Sequence, residues 1–122
     1  MPKVKQSLTY DEAVLSVLTW EFSPIDPKTI EKKIKRKLRN YELGAFDEER
    51  VERLRRLKNQ VVAEIEKTKD SNYYSKGPSE FAELSDFDID RMTTEWRKNF
   101  SDVSDRDMHN FIAGAIYLYY LR

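Results

Sequence analysis

Apolar residues recur every three or four positions over most of this chain, which is the spacing of one face of an α-helix. The first such stretch opens at Thr9, where Glu12 completes the T-x-x-E pattern of a helix N-terminus. The second opens at Asp26-Pro27, an N-cap residue followed by proline, and is expected to end at about residue 43, just before Gly44. These signals predict two helices in the N-terminal part of the chain.

A third helix is predicted from Asp47 to about Lys69, which is long for a small domain. Its apolar positions form one narrow row, made of Val51, Leu54, Leu57, Val61 and Ile65. A long helix with one narrow apolar row is often the seam of a dimer. We therefore expect Leu54, Val61 and Ile65 to contribute to a protein interface.

The second half of the chain follows the segment 70–79, which is polar, contains a Gly-Pro pair and predicts a loop. A short helix is expected at 80–84, and a further helix begins at Asp86 or Asp88. The last helix is capped at Ser104 and runs to the end of the chain.

Together these elements predict an all-α fold of five to six helices in a single domain, residues 1–122. Glycine and proline number only three and four, which leaves little room for the turns of a small β-protein. Within the domain we expect a basic N-terminal half at 1–69, a loop at 70–79, and an acidic, aromatic-rich C-terminal half at 80–122.

The net charge is zero, but the charges are unevenly placed. Residues 1–60 hold fourteen Lys and Arg against ten Asp and Glu, whereas residues 61–122 hold eight against twelve. The densest basic stretch, 28–39, has seven basic residues and one acid. Three interpretations of this stretch stay open: a surface that binds DNA, a surface that meets an acidic protein, and a solvated face without a partner.

Few residues are available for catalysis. The chain has no cysteine, which excludes disulfides, thiolate metal sites and cysteine nucleophiles. His109 is the only histidine, and it is expected in the first turn of a helix, four residues after Asp105. Three isolated glycines form no phosphate-binding loop. We therefore expect neither an enzyme nor a cofactor site.

Two acidic clusters fail as metal sites. In a calcium loop that starts at Asp86, position six is Arg91 and position twelve is Arg97, where glycine and a bidentate glutamate are required. The acids and the histidine in 105–109 lack a fourth ligand at a suitable spacing. No bound metal is expected.

The chain is expected to be soluble and cytoplasmic. Residues 1–6 are polar and predict no secretory leader. The most apolar run, 111–121, has eleven residues, whereas a membrane-spanning helix needs about 20. No membrane partner is therefore predicted.

Aromatic residues concentrate near the C-terminus, where Tyr117, Tyr119 and Tyr120 follow Ile116. Tyrosine is enriched in packed helix ends and in protein interfaces, and it also stacks on nucleic-acid bases. Because acidic residues surround this half of the chain, packing or an oligomer seam is favoured over base stacking. We expect these four residues to belong to a protein interface, with a second copy of the chain or with another protein, and we expect the protein to be a homo-oligomer.

The N-terminal half carries a further pattern over about residues 8–57. It consists of LTYDEA from Leu8, KTI from Lys28, apolar residues at Ile34 and Leu38, and FDEERV from Phe46. This pattern resembles the helix-turn-helix of excisionase and MerR-type DNA-binding regulators. The stretch 40–46 is too short for the two-stranded wing of those regulators, so the resemblance implies no wing contacts.

The resemblance implies that residues 28–39 form a recognition helix. The groove-facing residues would be Thr29, Lys32, Lys33 and Arg36. The phosphate-facing residues would be Lys35, Lys37 and Arg39, with Lys28 at the start of the same basic surface.

Overall fold

A computed structural model describes residues 8–21 and 26–121, and over these residues the fold is all-α, as predicted. The helices are α1 (Tyr10–Leu18), α2 (Pro27–Asn40), α3 (Glu48–Glu66), α4 (Ile89–Arg97) and α5 (Asp105–Ile116). Short 3-10 turns span Thr68–Asp70 and Leu84–Asp86, and a π-helical turn spans Tyr117–Leu121. In the described part of the chain there is no strand, only an isolated bridge between Tyr74 and Phe87. None of the helices described is long and apolar enough to cross a membrane.

The chain divides into two compact units, which we call unit 1 (up to Lys58) and unit 2 (from Asn59). The boundary lies inside α3, upstream of the segment 70–79 at which the sequence predicts a loop between two halves. Since residues 59 and 60 are uncharged, the boundary also separates the basic part of the sequence from the acidic part.

The helix starts of unit 1 follow from capping side chains close in sequence. The Thr9 hydroxyl accepts a hydrogen bond from the backbone N–H of Glu12 at 3.1 Å. The Asp26 carboxylate caps α2 with proline at the first helical position, and Asp47 caps α3 through the N–H of Arg50 at 3.2 Å. All three predicted helix starts are confirmed.

The end of α2 differs from the prediction, because the helix stops at Asn40 rather than at about residue 43. The Leu43 N–H donates to the Leu38 carbonyl at 2.9 Å, and the Glu42 N–H donates to the Arg39 carbonyl at 3.1 Å. This pair of bonds is a Schellman motif, which requires a left-handed residue at position 42. Glu42 adopts it with φ of 53°, so the termination comes before the glycine that the sequence suggested.

In unit 2, α4 packs on α5, and the loop between α3 and α4 is closed at its base. The Ser75 N–H donates to the Asp86 carbonyl at 2.7 Å, and the Asp88 N–H donates to the Tyr73 carbonyl at 2.9 Å. These bonds make residues 75–87 a closed loop, which we call the 75–87 loop.

The prediction of a short helix at 80–84 is wrong, since residues 80–83 are not helical and only Leu84–Asp86 forms a 3-10 turn. The Lys76 ammonium donates to the carbonyls of Ser79 and Phe81, the latter at 2.9 Å. The carbonyls that a helix would use internally are therefore bound by a side chain from outside the segment.

Candidate functional site

The basic stretch folds as α2, a helix with one apolar side. Ile30, Ile34 and Leu38 are 0–2% exposed and anchor this side in the core of unit 1. Seven of the eight residues predicted to bind DNA are exposed, and Lys37 is half-buried. The helix can therefore be held by its apolar side while its opposite side faces solvent.

Two of the predicted DNA-binding cations have partners within unit 1. The Lys35 ammonium lies 2.8 Å from the Glu31 carboxylate and 5.3 Å from the centre of the Phe46 ring. The Lys37 ammonium donates to the Ser16 hydroxyl at 2.8 Å, which ties α2 to α1. Both lie on the flanks of α2, between its apolar side and its outer side.

The remaining five cations define a surface that we call the cationic face, consisting of Lys28, Lys32, Lys33, Arg36 and Arg39. All five are exposed, and within the described ranges 8–21 and 26–121 none of their side chains has an ion-pair or hydrogen-bond partner. Because an α-helix turns about 100° per residue, they fall within about 140° of its circumference and extend over about 17 Å. Thr29 and Asn40 are exposed at the two ends of the same side.

Acidic residues border the cationic face on one flank. The only acid inside α2 is Glu31, which is paired with Lys35. On that flank a surface cleft of about 410 Å³ is lined by Glu31, Glu48 and Glu52 among other residues. An anion would therefore be attracted to the outer side of α2 and repelled from this flank.

Three cations of unit 1 outside α2 lie next to carboxylates. Arg50 donates to Asp11 through Nε at 2.9 Å, while Arg55 and Lys58 contact the Glu21 carboxylate at 2.9 and 3.1 Å. Burial raises the pKa of Glu21, but the hydrogen bonds from Arg55 and Lys58 outweigh it and leave the pKa below its usual range. These three cations all lie on α3 and stabilise the fold through ion pairs, whereas the side chains of the cationic face form none with the residues that the structure describes.

The burial of four residues that were predicted to form a protein interface corrects that prediction. Leu54, Val61, Ile65 and Ile116 are each 0–1% exposed in this chain. Their side chains pack in the core, so they have no surface left to offer to a second copy or to another protein. The narrow apolar row of α3 is a core row rather than a dimer seam.

The three tyrosines of the predicted interface differ from one another. Tyr117 is 60% exposed, and Tyr119 is partly exposed. The Tyr120 hydroxyl donates to the Asp86 carboxylate at 2.6 Å and lies 3.1 Å from the Tyr74 hydroxyl. Tyr120 therefore binds the 75–87 loop, and its hydroxyl is occupied within unit 2.

His109 lies in a separate surface cleft of unit 2, of about 550 Å³. Its Nε2 is 3.5 Å from a carboxylate oxygen of the highly exposed Asp90, rather than next to Asp105. Among the residues described, no hydrogen bond links His109 to a serine, and no group of three or more His, Asp or Glu could hold a metal ion.

Two features bear on the resemblance to helix-turn-helix regulators. The link between α1 and α2 has eight residues, and residues 41–47 after α2 contain no strand.

No protein-family model, curated protein or solved structure matches this chain. The resemblance to helix-turn-helix regulators stays a prediction.

Proposed function

We propose that this protein binds nucleic acid through the cationic face of α2. The observation that carries the proposal is a set of five exposed cations, gathered on one side of a helix whose other side is anchored in the core, whose side chains have no partner among residues 8–21 and 26–121. Such a role requires a compartment that contains nucleic acid, in keeping with the cytoplasmic location expected from the sequence.

The energetics of α2 support a bound polyanion. Lys28, Lys32 and Arg36 follow one another at intervals of four residues, and like charges at this spacing destabilise a helix by about 0.2–0.5 kcal/mol per pair. A row of phosphates would convert this repulsion into attraction and release counterions from the nucleic acid. The free protein retains an unfavourable charge arrangement that a nucleic-acid partner would offset.

The shape of α2 suits the same partner. An α-helix with its side chains is about 10–12 Å wide, and the major groove of B-DNA is about 12 Å wide. The cationic face extends over about 17 Å, so its side chains can reach several phosphates at once. A duplex is therefore the first nucleic acid to test.

The test is fluorescence anisotropy with a labelled mixed-sequence duplex of about 20 base pairs, titrated at about 50 and about 200 mM salt. Five phosphate contacts predict a slope of log affinity against log salt of about −4.5, which is a loss of about 500-fold between the two conditions. Failure to bind at the lower salt would overturn the proposal, and an acidic protein would become the expected occupant of the face.

Matched variants distinguish the cationic face from charge in general. Lys32→Gln with Arg36→Gln removes two charges from the centre of the face, and it should reduce the magnitude of the salt slope by about 1.8. Lys67→Gln with Lys98→Gln removes two exposed charges outside α2 and should leave the slope unchanged. Circular dichroism melting verifies that both variants are folded. Equal slopes in the two variants would contradict the assignment to α2.

A further inference from the structure

Resting on the proposed nucleic-acid binding, we infer that the cationic face contacts the phosphate backbone and does not read the base sequence. The inference rests on the kinds of side chain on the face and on their having no partner that fixes their orientation in the part of the chain that the structure describes.

Of the three cations at the centre of the face, two are lysines, which are less suited than arginine to bidentate contacts with bases. Bases are read mainly by bidentate contacts, from Arg or Lys to guanine and from Asn or Gln to adenine. Lys32 and Lys33 carry compact ammonium groups on flexible stems, which act as point charges and lack the rigid planar fork of arginine. Thr29 and Asn40 lie at opposite ends of the exposed side, separated by a helical rise of about 17 Å.

The two arginines of the face are not held for base reading. A guanidinium recognises guanine through two parallel hydrogen bonds, which require a fixed plane. Such sites are built with neighbouring side chains that orient the arginine. Arg36 and Arg39 are exposed, and no side chain in the described residues hydrogen-bonds to either guanidinium. Each guanidinium can adjust its position to contact a phosphate, but neither is preoriented to recognise a base.

Unit 1 contains an arginine, Arg55, whose orientation is fixed by hydrogen bonds. Arg55 donates through Nε to both carboxylate oxygens of Glu21 at 3.0 Å, and its side chain is only 22% exposed. The contrast with Arg36 and Arg39 supports a charge-based contact on the cationic face. This mode of binding differs from the sequence-specific recognition helix that the resemblance implies.

The first experiment is a selection from a pool of randomised duplexes, followed by anisotropy on one A·T-rich and one G·C-rich duplex at the same salt. We expect no enriched motif and affinities that agree within about threefold, because backbone contacts carry no sequence information. An enriched motif bound about 100-fold more tightly than the pool would overturn this inference and leave the proposed function standing. Failure to bind any duplex at about 50 mM salt would overturn both.

The second experiment uses the charge-conserving variant Arg36→Lys with Arg39→Lys. If the arginines contact only phosphates, affinity for every duplex stays within about threefold, because lysine supplies the same charge. If they read guanine, the variant loses about 5- to 150-fold on the preferred duplex, and this inference fails. Arg36→Gln with Arg39→Gln is the control, and it should weaken binding to all duplexes by the same factor, since it removes two phosphate contacts.

Discussion

At the residue scale, the carboxylate of Asp86 fixes the 75–87 loop. It accepts hydrogen bonds from the Tyr120 hydroxyl at 2.6 Å, from the Glu83 N–H at 3.0 Å and from the Gly77 N–H at 2.9 Å. The bond from Tyr120, followed by those from the two backbone N–H groups, lowers the pKa of Asp86 to about 2. The same bond and the burial of the phenol raise the pKa of Tyr120, with burial the larger cause.

These shifts predict that the protein loses stability in acid. A carboxylate whose pKa is lower in the folded state than in the unfolded state stabilises the fold above its unfolded pKa, and this contribution disappears as the pH falls. Asp86 and Glu21 both have lowered pKa values. We expect the free energy of unfolding to be steady above about pH 5 and to fall between about pH 4 and pH 2, as measured by urea denaturation.

Two variants assign the acid response to Asp86. Tyr120→Phe removes the hydroxyl but keeps the ring, which packs edge-on against Phe87 at 5.2 Å between ring centres. The pKa of Asp86 should then rise toward its usual value, so the loss of stability in acid should be smaller than in the parent. Tyr117→Phe removes an exposed hydroxyl and is the control. An identical acid response in all three proteins would show that the Tyr120–Asp86 bond does not contribute.

Glu42 provides a second prediction at this scale. Its φ of 53° lies in the left-handed region, which costs a residue with a side chain about 1–2 kcal/mol. Glu42→Gly should therefore be more stable than Glu42→Ala by about 1 kcal/mol, measured by urea denaturation at neutral pH. Glu42→Ala is the matched reference because it removes the same carboxylate without relieving the backbone. If the alanine variant is the more stable, the Schellman end of α2 is not formed in solution.

At the element scale, the 75–87 loop is ordered by a lysine at its centre. The Lys76 ammonium binds backbone carbonyls of Ser79 and Phe81 and lies 3.7 Å from the Asp86 carboxylate. The side chain of Phe81, which lies on this loop, is 71% exposed, but the backbone around it is fixed by the bonds from Lys76. A charged donor inside a loop replaces the hydrogen bonds that a helix would have supplied.

Replacing this lysine should loosen the loop. Lys76→Met keeps the aliphatic stem and removes the donors, so the carbonyls of Ser79 and Phe81 lose their partner. We expect faster chymotrypsin cleavage after Phe81, with little change in the helical circular dichroism signal. Lys69→Met changes an exposed lysine outside the loop and should cleave at the parent rate. Equal cleavage of both variants would contradict the ordering role of Lys76.

The elements also show which structural features a sequence can predict. The caps at Thr9, Asp26 and Asp47 were predictable because each side chain reaches an N–H only two or three residues away. The 75–87 loop was not predictable, because Tyr120 binds Asp86 across 34 positions of sequence. Long-range hydrogen bonds of this kind leave no periodic signal in the local sequence.

The candidate site also has some features that the sequence predicts and others that it does not. Its location on α2 follows from the density of basic residues and the four-residue spacing of Ile30, Ile34 and Leu38. The pairing of Lys35 with Glu31 is a helix neighbour contact that the sequence contains. The bond from Lys37 to Ser16 spans 21 positions, so the sequence alone could not predict that this lysine has a partner within unit 1. Only the structure reduces the seven basic residues to the five of the cationic face.

At the scale of the whole molecule, the charge follows the division into units. Unit 1 contains fourteen basic and ten acidic residues, and unit 2 contains eight and twelve, so a neutral protein consists of a basic unit and an acidic one. The net charge therefore understates the attraction of unit 1 for a polyanion. Salt should therefore weaken the proposed nucleic-acid binding strongly even though the whole chain is neutral.

The helix α3 is shared by both units, since their boundary lies between Lys58 and Asn59. Because α3 is uninterrupted there, we expect the unfolding of one unit to destabilise the part of α3 that belongs to the other. The chain has two tryptophans, Trp20 in unit 1 and Trp96 in unit 2, so each unit has its own fluorescence reporter once the other tryptophan is changed to phenylalanine. We expect the two single-tryptophan variants, with the rest of the sequence unchanged, to give the same denaturation midpoint.

Asn59→Pro tests whether α3 is what couples the units. Asn59 is exposed in the helix interior, where proline removes a backbone hydrogen bond, clashes with the preceding turn and costs about 3 kcal/mol. The two tryptophan reporters should then separate in guanidinium denaturation, with at least one midpoint lowered. Asn59→Ala, which favours the helix, should keep the midpoints together. If the midpoints still coincide in the proline variant, the cooperativity of this protein does not depend on the continuity of α3.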